Sequence, residues 1–372
     1  MAGTMRAARL HRFGEPLRVD EVPIPDVGRG EVLLRVLRAG LNRGDVHMRH
    51  GEIRIAPGEE RKYFPILPMT VGHDGLGEVV EVGPDVRGLE VGDRVLAKPT
   101  LTCGFCKFCR SQREHLCPHV RLMGFFALPR GGDIFTRYKD GLWADYCRIP
   151  ATNVEKLRRD DDIDRFALVS QMAVGYRALK RARLAVGETA IINGATGITG
   201  TGAVLSALAM GAAHVIAIAR DPARLARIQR IDAERVSTIS ITTESIRERV
   251  AELTGGEGAQ VLVDLTPSGI ESTIDCLYSL EIGGRAALIG GNTELLQVPY
   301  PFFLIRQVEF TSSRGRLYAD FPELIELTRR GVIDTSHVRP QFFKLEQVNE
   351  ALDSMLTRGS GDVPVWPMMR GD

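Results

Sequence analysis

Apolar positions along the first part of the chain come in short runs that stop at Gly or Pro. Val32-Leu33-Leu34-Arg35-Val36 and Gly77-Glu78-Val79-Val80-Glu81-Val82 are of this kind. Many brief β-branched runs with turn residues between them predict a β-rich barrel or sandwich up to about Pro150. From about Asp160 the period changes. Asp164 to Arg183 is apolar at helical spacing, Thr189 to Ile192 reads as a buried strand, and Ala203 to Met210 as an apolar helix. His214 to Ala219, Gln260 to Leu265 and Arg285 to Ile289 are further expected strands. Pro222 to Arg230 and Ser272 to Leu280 are expected helices between them. Strand–helix repetition with near-continuous apolar strands implies a parallel, doubly wound α/β sheet. Beyond about Thr311 the pattern offers helices at Pro322 to Arg330 and Leu345 to Thr357. That tail is too short to stand alone and should pack onto an earlier unit.

Length and charge narrow the picture. A chain of 372 residues exceeds what one hydrophobic core usually holds, so two domains are expected. The balance of 48 basic against 47 acidic residues gives no electrostatic footprint for nucleic acid or an anionic membrane. No apolar run reaches the length of a membrane span. Met1 to Leu10 lacks the apolar stretch of a signal peptide, and a cytoplasmic location is the expectation.

Gly194-Ala195-Thr196-Gly197-Ile198-Thr199-Gly200 follows a strand and opens a helix. Glycines there permit a tight turn and close backbone approach, and the helix N-terminus offers unpaired N–H groups to a pyrophosphate. Strand, turn, helix and second strand arrive in the order a dinucleotide site requires. NAD sites carry an Asp or Glu at the end of the second strand to bind the ribose hydroxyls. Here Ala219 is followed by Arg220, whose guanidinium suits a 2′-phosphate, so NADP(H) is expected over NAD(H). Asp221 reads instead as the N-cap of the next helix, with Pro222 at its first position.

Cys103, Cys106, Cys109 and Cys117 form C-x2-C-x2-C-x7-C. Four thiolates on one short lobe can close a tetrahedron around Zn²⁺, and an iron–sulfur cluster is the rival that spacing alone leaves open. Beside a nicotinamide-binding unit, one structural zinc per chain is the expectation. Cys147 and Cys276 stand alone and read as core residues.

The sequence resembles the medium-chain dehydrogenase/reductase superfamily, which holds the zinc alcohol dehydrogenases and their quinone and enone reductase relatives. Gly72-His73-Asp74-Gly75-Leu76-Gly77, Gly92-Asp93-Arg94-Val95, the four-cysteine lobe, Gly141-Leu142-Trp143-Ala144-Asp145-Tyr146 and the Gly-rich turn carry the likeness over nearly the whole chain. It implies a GroES-like substrate domain over about residues 1–160, with the zinc lobe near 100–120. A Rossmann domain over 161–310 and a C-terminal return to the first domain over 311–372 complete the expected layout. It also implies Arg43 and Ile289 as further cofactor contacts, and a homodimer paired near Val298 to Ile305.

The likeness breaks at the catalytic zinc. Asn42 stands where the family's first Cys ligand belongs, Ser170 stands at the third ligand, and only His73 is kept. One strong ligand of three will not hold zinc tightly, so no catalytic zinc is expected. Gly44 replaces the hydroxyl residue of the proton relay, while His47 matches its outer histidine and Asp45 the acid that orients His73. Without a Lewis acid, oxidising an unactivated alcohol is hard. Asn42 to Asp45 also resembles the zinc-free reductase branch. The expected reaction is NADPH-dependent hydride transfer to an enone, enoyl-thioester, quinone or iminium ion. In that mechanism the Asn42 amide or a cofactor ribose hydroxyl binds the carbonyl oxygen and His47 returns the proton. An alcohol dehydrogenase or carbonyl reductase, and a non-redox protein retaining NADP(H), are the alternatives. Glu52 to Phe64 and Phe125 to Lys139 look long for the family. Phe125, Phe126, Phe135 and Tyr138 are candidates to wall a pocket for an apolar or aromatic small molecule.

Overall fold

The computed structural model describes residues 3–52, 66–128, 136–357 and 365–371. Its centre is a six-stranded all-parallel sheet in which Thr189–Asn193 lies between His214–Ala219 and Ala259–Asp264. Val236–Ser240 continues one side, and Leu280–Leu288 followed by Glu309–Ser312 the other. Central strands such as Thr189–Asn193 are buried on both faces, which is why their sequences are apolar without alternation. The doubly wound expectation therefore holds.

The remaining strands pair mostly antiparallel. Glu31–Gly40 is the hub of a seven-stranded sheet, pairing with Gly75–Val82 and Tyr146–Pro150. The C-terminal strand Val365–Arg370 returns to pair antiparallel with Glu31–Gly40 and parallel with Arg339–Phe343. The long helix Ile163–Arg181 follows this β-rich part, and it packs on Ile198–Ala209, the helix that opens after the Gly-rich turn.

Several sequence expectations need correction. The helix expected at Ser272 to Leu280 is Ile270–Tyr278, and Leu280 already begins a strand. That strand runs back to Leu280 because Gly283 and Gly284 interrupt its apolar pattern without ending it. The apolar helix starts at Ile198 rather than Ala203, directly on Gly197. Leu345 to Thr357 splits into a 3-10 turn, Leu345–Gln347, and the helix Val348–Thr357. Strand Val236–Ser240 and helices Arg43–His50, Ile246–Leu253 and Tyr300–Arg306 went unread in the sequence. Arg339–Phe343 and Val365–Arg370 did too, because a strand added from the far end of the chain has no local turn to announce it.

Glu31 pins the turn Thr136–Tyr138 onto this β-rich unit. Its buried carboxylate accepts from Arg137 Nε at 2.8 Å, Tyr138 Oη at 2.6 Å and the Gly28 N–H at 2.7 Å. Burial alone would raise its pKa. These donors, Arg137 foremost, overcome it and hold the group at about 2 against an ordinary 4.5. A depressed carboxylate contributes stability that is present above its unfolded pKa and lost as pH falls through its folded one. Glu31→Gln should cost about 1.5–3 kcal/mol at pH 7, the range for hydrogen bonds to a charged group. The gap to wild type should shrink as pH falls from about 4.5 towards 2. Urea unfolding at pH 7 and pH 3 checks this; an equal gap at both would remove the ionised carboxylate as its source.

Candidate active site

Asn42 ends the strand Glu31–Gly40 region and caps the helix Arg43–His50. Its Oδ1 accepts from the Gly44 N–H at 2.8 Å, and Asp45 Oδ2 accepts from the Asn42 N–H at 2.8 Å. The Asn-x-x-Asp pattern is thus a capping box, each end satisfying an orphan helix donor. Because the cap fixes Oδ1, the amide nitrogen is turned inward. Nδ2 lies 2.9 Å from His73 Nε2 and 3.2 Å from Asp74 Oδ2. With the His73 ring neutral, both amide hydrogens have partners within the protein, which differs from the expectation that this amide is the donor to a substrate carbonyl.

His73 is buried between two carboxylates. Asp45 Oδ1 lies 3.0 Å from Nδ1, and Asp74 Oδ2 lies 3.7 Å from Nε2. Burial opposes charge on the ring, but the Asp45 and Asp74 carboxylates outweigh it and raise the pKa above 6.5. In the neutral ring, Nδ1–H faces Asp45 and the Nε2 lone pair accepts from Asn42. Phe125 covers the ring at 4.6 Å between centroids. A Cβ on Gly44 would stand 2.8 Å from Asn42 Oδ1 and 3.0 Å from the Phe125 ring, so a relay hydroxyl there would have to displace the cap oxygen or the ring. His47 sits at the rim, its Nδ1 3.0 Å from Glu52 Oε2.

Sequence reasoning missed Arg316. This guanidinium is buried, and its Nη1 donates to Asp74 Oδ1, to the Ser170 carbonyl and, at 2.9 Å, to Ser170 Oγ. Ser170 Oγ in turn donates to Asp74 Oδ1 at 2.8 Å. Burial would push the Asp74 pKa up, yet Arg316 first and His73 next hold it below 3.8, so the carboxylate is ionised. Gln171, also missed, donates Nε2 to the Leu41 carbonyl and lines the same cleft. No local pattern marks either residue, since the partners of Arg316 lie 146 and 242 positions away.

These groups floor a cleft of about 680 Å³ lined also by Phe125, Phe126, Val174 and Ile289. Of the four rings expected at a pocket wall, Phe125 and Phe126 are there. Tyr138 points its hydroxyl at Glu31 instead, and Phe135 lies outside the described residues. Most of Glu52 to Phe64 does as well.

A second cavity, about 450 Å³, opens beside the first and shares Asn42, Arg43, Ile198 and Thr199 with it. Gly194, Thr196, Gly197, Gly200, Ala219 and Arg220 line it. Ala195 is fully buried behind the turn. Gly197 caps the helix Ile198–Ala209 without any side-chain hydrogen bond, leaving its first N–H groups to a ligand. Asp221 is committed as a cap, accepting from the N–H groups of Ala223 and Arg224, while Arg220 is exposed. The cradle fits a dinucleotide.

Cys103, Cys106, Cys109 and Cys117 gather their sulfurs within 4.8 Å of one another. The separations of 3.6, 3.6 and 4.0 Å match the edge of about 3.8 Å that a tetrahedron with Zn–S near 2.3 Å requires. Among the described residues they are the one such group of metal-ligating side chains. The lobe touches the cleft through Arg314, whose Nη2 donates to the carbonyls of His115 at 2.8 Å and Cys117 at 3.1 Å.

Comparison with known proteins agrees with this architecture. Residues 28–159 match the family model of the alcohol dehydrogenase GroES-like domain, and residues 199–330 that of the zinc-binding dehydrogenases. The chain is 31% identical to the NAD-dependent alcohol dehydrogenase of Sulfurisphaera tokodaii, over 94% of this chain and 96% of that protein. It is 29% identical to the L-threonine 3-dehydrogenase of Paraburkholderia xenovorans, over 96% and 97%. The alcohol dehydrogenase of Aeropyrum pernix superposes with a TM-score of 0.82 at 29% identity, covering 98% of this chain and 99% of that one.

Proposed function

Because the chain belongs to the zinc-type, alcohol dehydrogenase-like medium-chain dehydrogenase/reductases, we propose that it transfers hydride to an activated double bond without a catalytic zinc, using NADP(H). The observation that carries this reading is the network at the family's zinc-ligand positions. Asn42 presents N–H groups rather than a lone pair, and Ser170 Oγ is engaged with both Asp74 and Arg316. The Asp74 carboxylate is already neutralised by a buried guanidinium, so a dication placed beside it would face like charge. This donor set does not fit a catalytic zinc. The Cys103, Cys106, Cys109 and Cys117 set does fit a structural one, which would brace the lobe.

Bound in the groove, a nicotinamide dinucleotide supplies the hydride. The uncapped turn at Gly197 and the Arg43 guanidinium suit its pyrophosphate, and Ile289 lies on the cleft side. Asn42 and Asp45 hold His73 in place, and His47 at the rim is suited to return a proton from solvent. The ring-lined wall favours an apolar acceptor. A panel of enones, enoyl-thioesters, quinones and cyclic iminium ions with NADPH tests the reading, with and without 1,10-phenanthroline. Chelator-resistant reduction of one class is expected. Turnover confined to simple alcohols or ketones and abolished by the chelator would sink it. That outcome is the second reading, favoured by the names of relatives such as alcohol and L-threonine 3-dehydrogenases.

Cofactor choice rests on Arg220, which makes no ion pair among the described residues and stands where an NAD site carries an acid. Arg220→Asp should lower kcat/KM for NADPH by about 10- to 100-fold, the value of one charged contact, and spare NADH. Equal losses with both cofactors would assign Arg220 a structural part only. Tyr300, Leu304 and Ile305 are exposed on the helix Tyr300–Arg306, near the edge strand Glu309–Ser312. This surface is where we expect two copies to pair, which light scattering would report as twice the 40.9 kDa chain mass.

A further inference from the structure

We propose that Arg316 is a catalytic residue whose guanidinium binds the carbonyl oxygen of the acceptor, taking the electrostatic part that zinc plays in the family's alcohol dehydrogenases. This deepens the reading above and rests on it.

Three observations carry it. Arg316 is only 5% exposed, yet it lines the cleft alongside His73, Asp74, Phe125 and Ile289. Among the described residues all its hydrogen bonds leave from one nitrogen, Nη1, towards Asp74 and Ser170. Nε is enclosed and Nη2 is not, and neither has a hydrogen-bond partner among the described residues. A guanidinium carries five N–H donors, and with Nη1 engaged by Asp74 and Ser170 the Nη2 donors are left to a ligand in the cleft. The competing donor, the Asn42 amide, is turned onto His73 Nε2 and Asp74 Oδ2 by its cap. That leaves Arg316 as the buried guanidinium of a cleft that Arg43 and Arg314 line from exposed positions. Its tether to Asp74 and Ser170 fixes it in advance, the property that makes a donor effective where charge develops.

Hydride from the reduced nicotinamide dinucleotide adds to the β-carbon of a conjugated carbonyl compound, and the C=C pair shifts to form the enolate double bond. The carbonyl pair moves onto oxygen, where the Arg316 N–H donors hold the anion. The α-carbon then takes a proton from solvent by way of His47. The acceptor gains two electrons and two hydrogens, and the dinucleotide is oxidised.

Removing Arg316 alone strands the buried Asp74 carboxylate, so the informative variant is the double substitution Arg316→Met with Asp74→Asn, beside Arg316→Lys. Two readouts are needed. One is the single-turnover rate of hydride transfer from NADPH to 2-cyclohexenone or 1-octen-3-one. The other is the binding of 4-nitrophenolate, an enolate mimic, to the NADP⁺-loaded protein, followed by its absorption. The double variant should lose about 10²- to 10³-fold in rate, the scale for one oxyanion donor, and a comparable factor in phenolate affinity. NADP⁺ affinity and zinc content should not change, and Arg316→Lys should recover part of both losses. Equal phenolate affinity in wild type and double variant would overturn the role of Arg316, even if wild type reduces the enones. Arg316-dependent phenolate binding in a protein that reduces neither enone would uphold Arg316 as an oxyanion site and reject the enone reading instead.

Discussion

Replacing Cys117 by Ser should strip the lobe of its zinc and lower stability by at least about 3 kcal/mol, among the larger effects available to one substitution. Cys117 is the one fully buried member of the set, and its sulfur lies 3.6 Å from that of Cys103. From Gly104 to Leu116 no residue is buried: the helix Lys107–Arg110 is a single turn, and Phe105 and Leu116 are exposed. A segment with so few apolar contacts relies on its cross-link, as small metal-stapled units do. The damage should also reach the cleft, because Arg314 is anchored on the carbonyls of His115 and Cys117. Zinc content, thermal unfolding and limited proteolysis over residues 101–122 are the measurements. Loss of zinc with an unchanged midpoint and no new cleavage would show that the lobe holds its shape without metal.

Gly200→Ala should weaken dinucleotide binding by about 100-fold or more, equivalent to about 3 kcal/mol. A Cβ there would stand 2.2 Å from the Gly194 carbonyl oxygen and 2.8 Å from Ala195 Cα. Both are backbone atoms of the Gly-rich turn and cannot rotate away as a side chain would. The turn must open, and with it the cradle formed by Gly194, Thr196 and Gly197 is displaced. Fluorescence titration with NADPH reads the effect directly. Affinity within threefold of wild type would mean that the turn does not hold the cofactor.

The sequence reveals these two sites well because each is a local device. Strand, Gly-rich turn and helix are contiguous, the Asp221 cap with Pro222 sits where its residue types demand, and the four thiols fall within fifteen positions. The Asn42–Asp45 pattern was equally visible but carries two meanings. As a family resemblance it suggests a substrate contact, and as a capping box it fixes a helix end. The geometry shows the second, and capping chemistry alone was enough to find it. Arg316 was not legible. Asp74, Ser170 and Arg316 come from a β-rich turn, the long helix Ile163–Arg181 and the segment after the last parallel strand. Nothing in Ser313-Arg314-Gly315-Arg316 distinguishes a buried guanidinium from a solvated one. The same holds for Val365–Arg370, whose partner strand Glu31–Gly40 lies at the other end of the chain. Pairings of that sequence separation are decided by tertiary packing.

The central claim is that a buried guanidinium, rather than a metal, occupies the charge position beside His73. Zinc per chain, by elemental analysis of protein purified without chelator or added metal, tests it most directly. The account predicts one zinc, released when Cys117 is replaced and unaffected by the Arg316→Met, Asp74→Asn pair. Two zincs per chain, one of them lost with His73→Ala, would contradict it and place a metal where Arg316 is held to act.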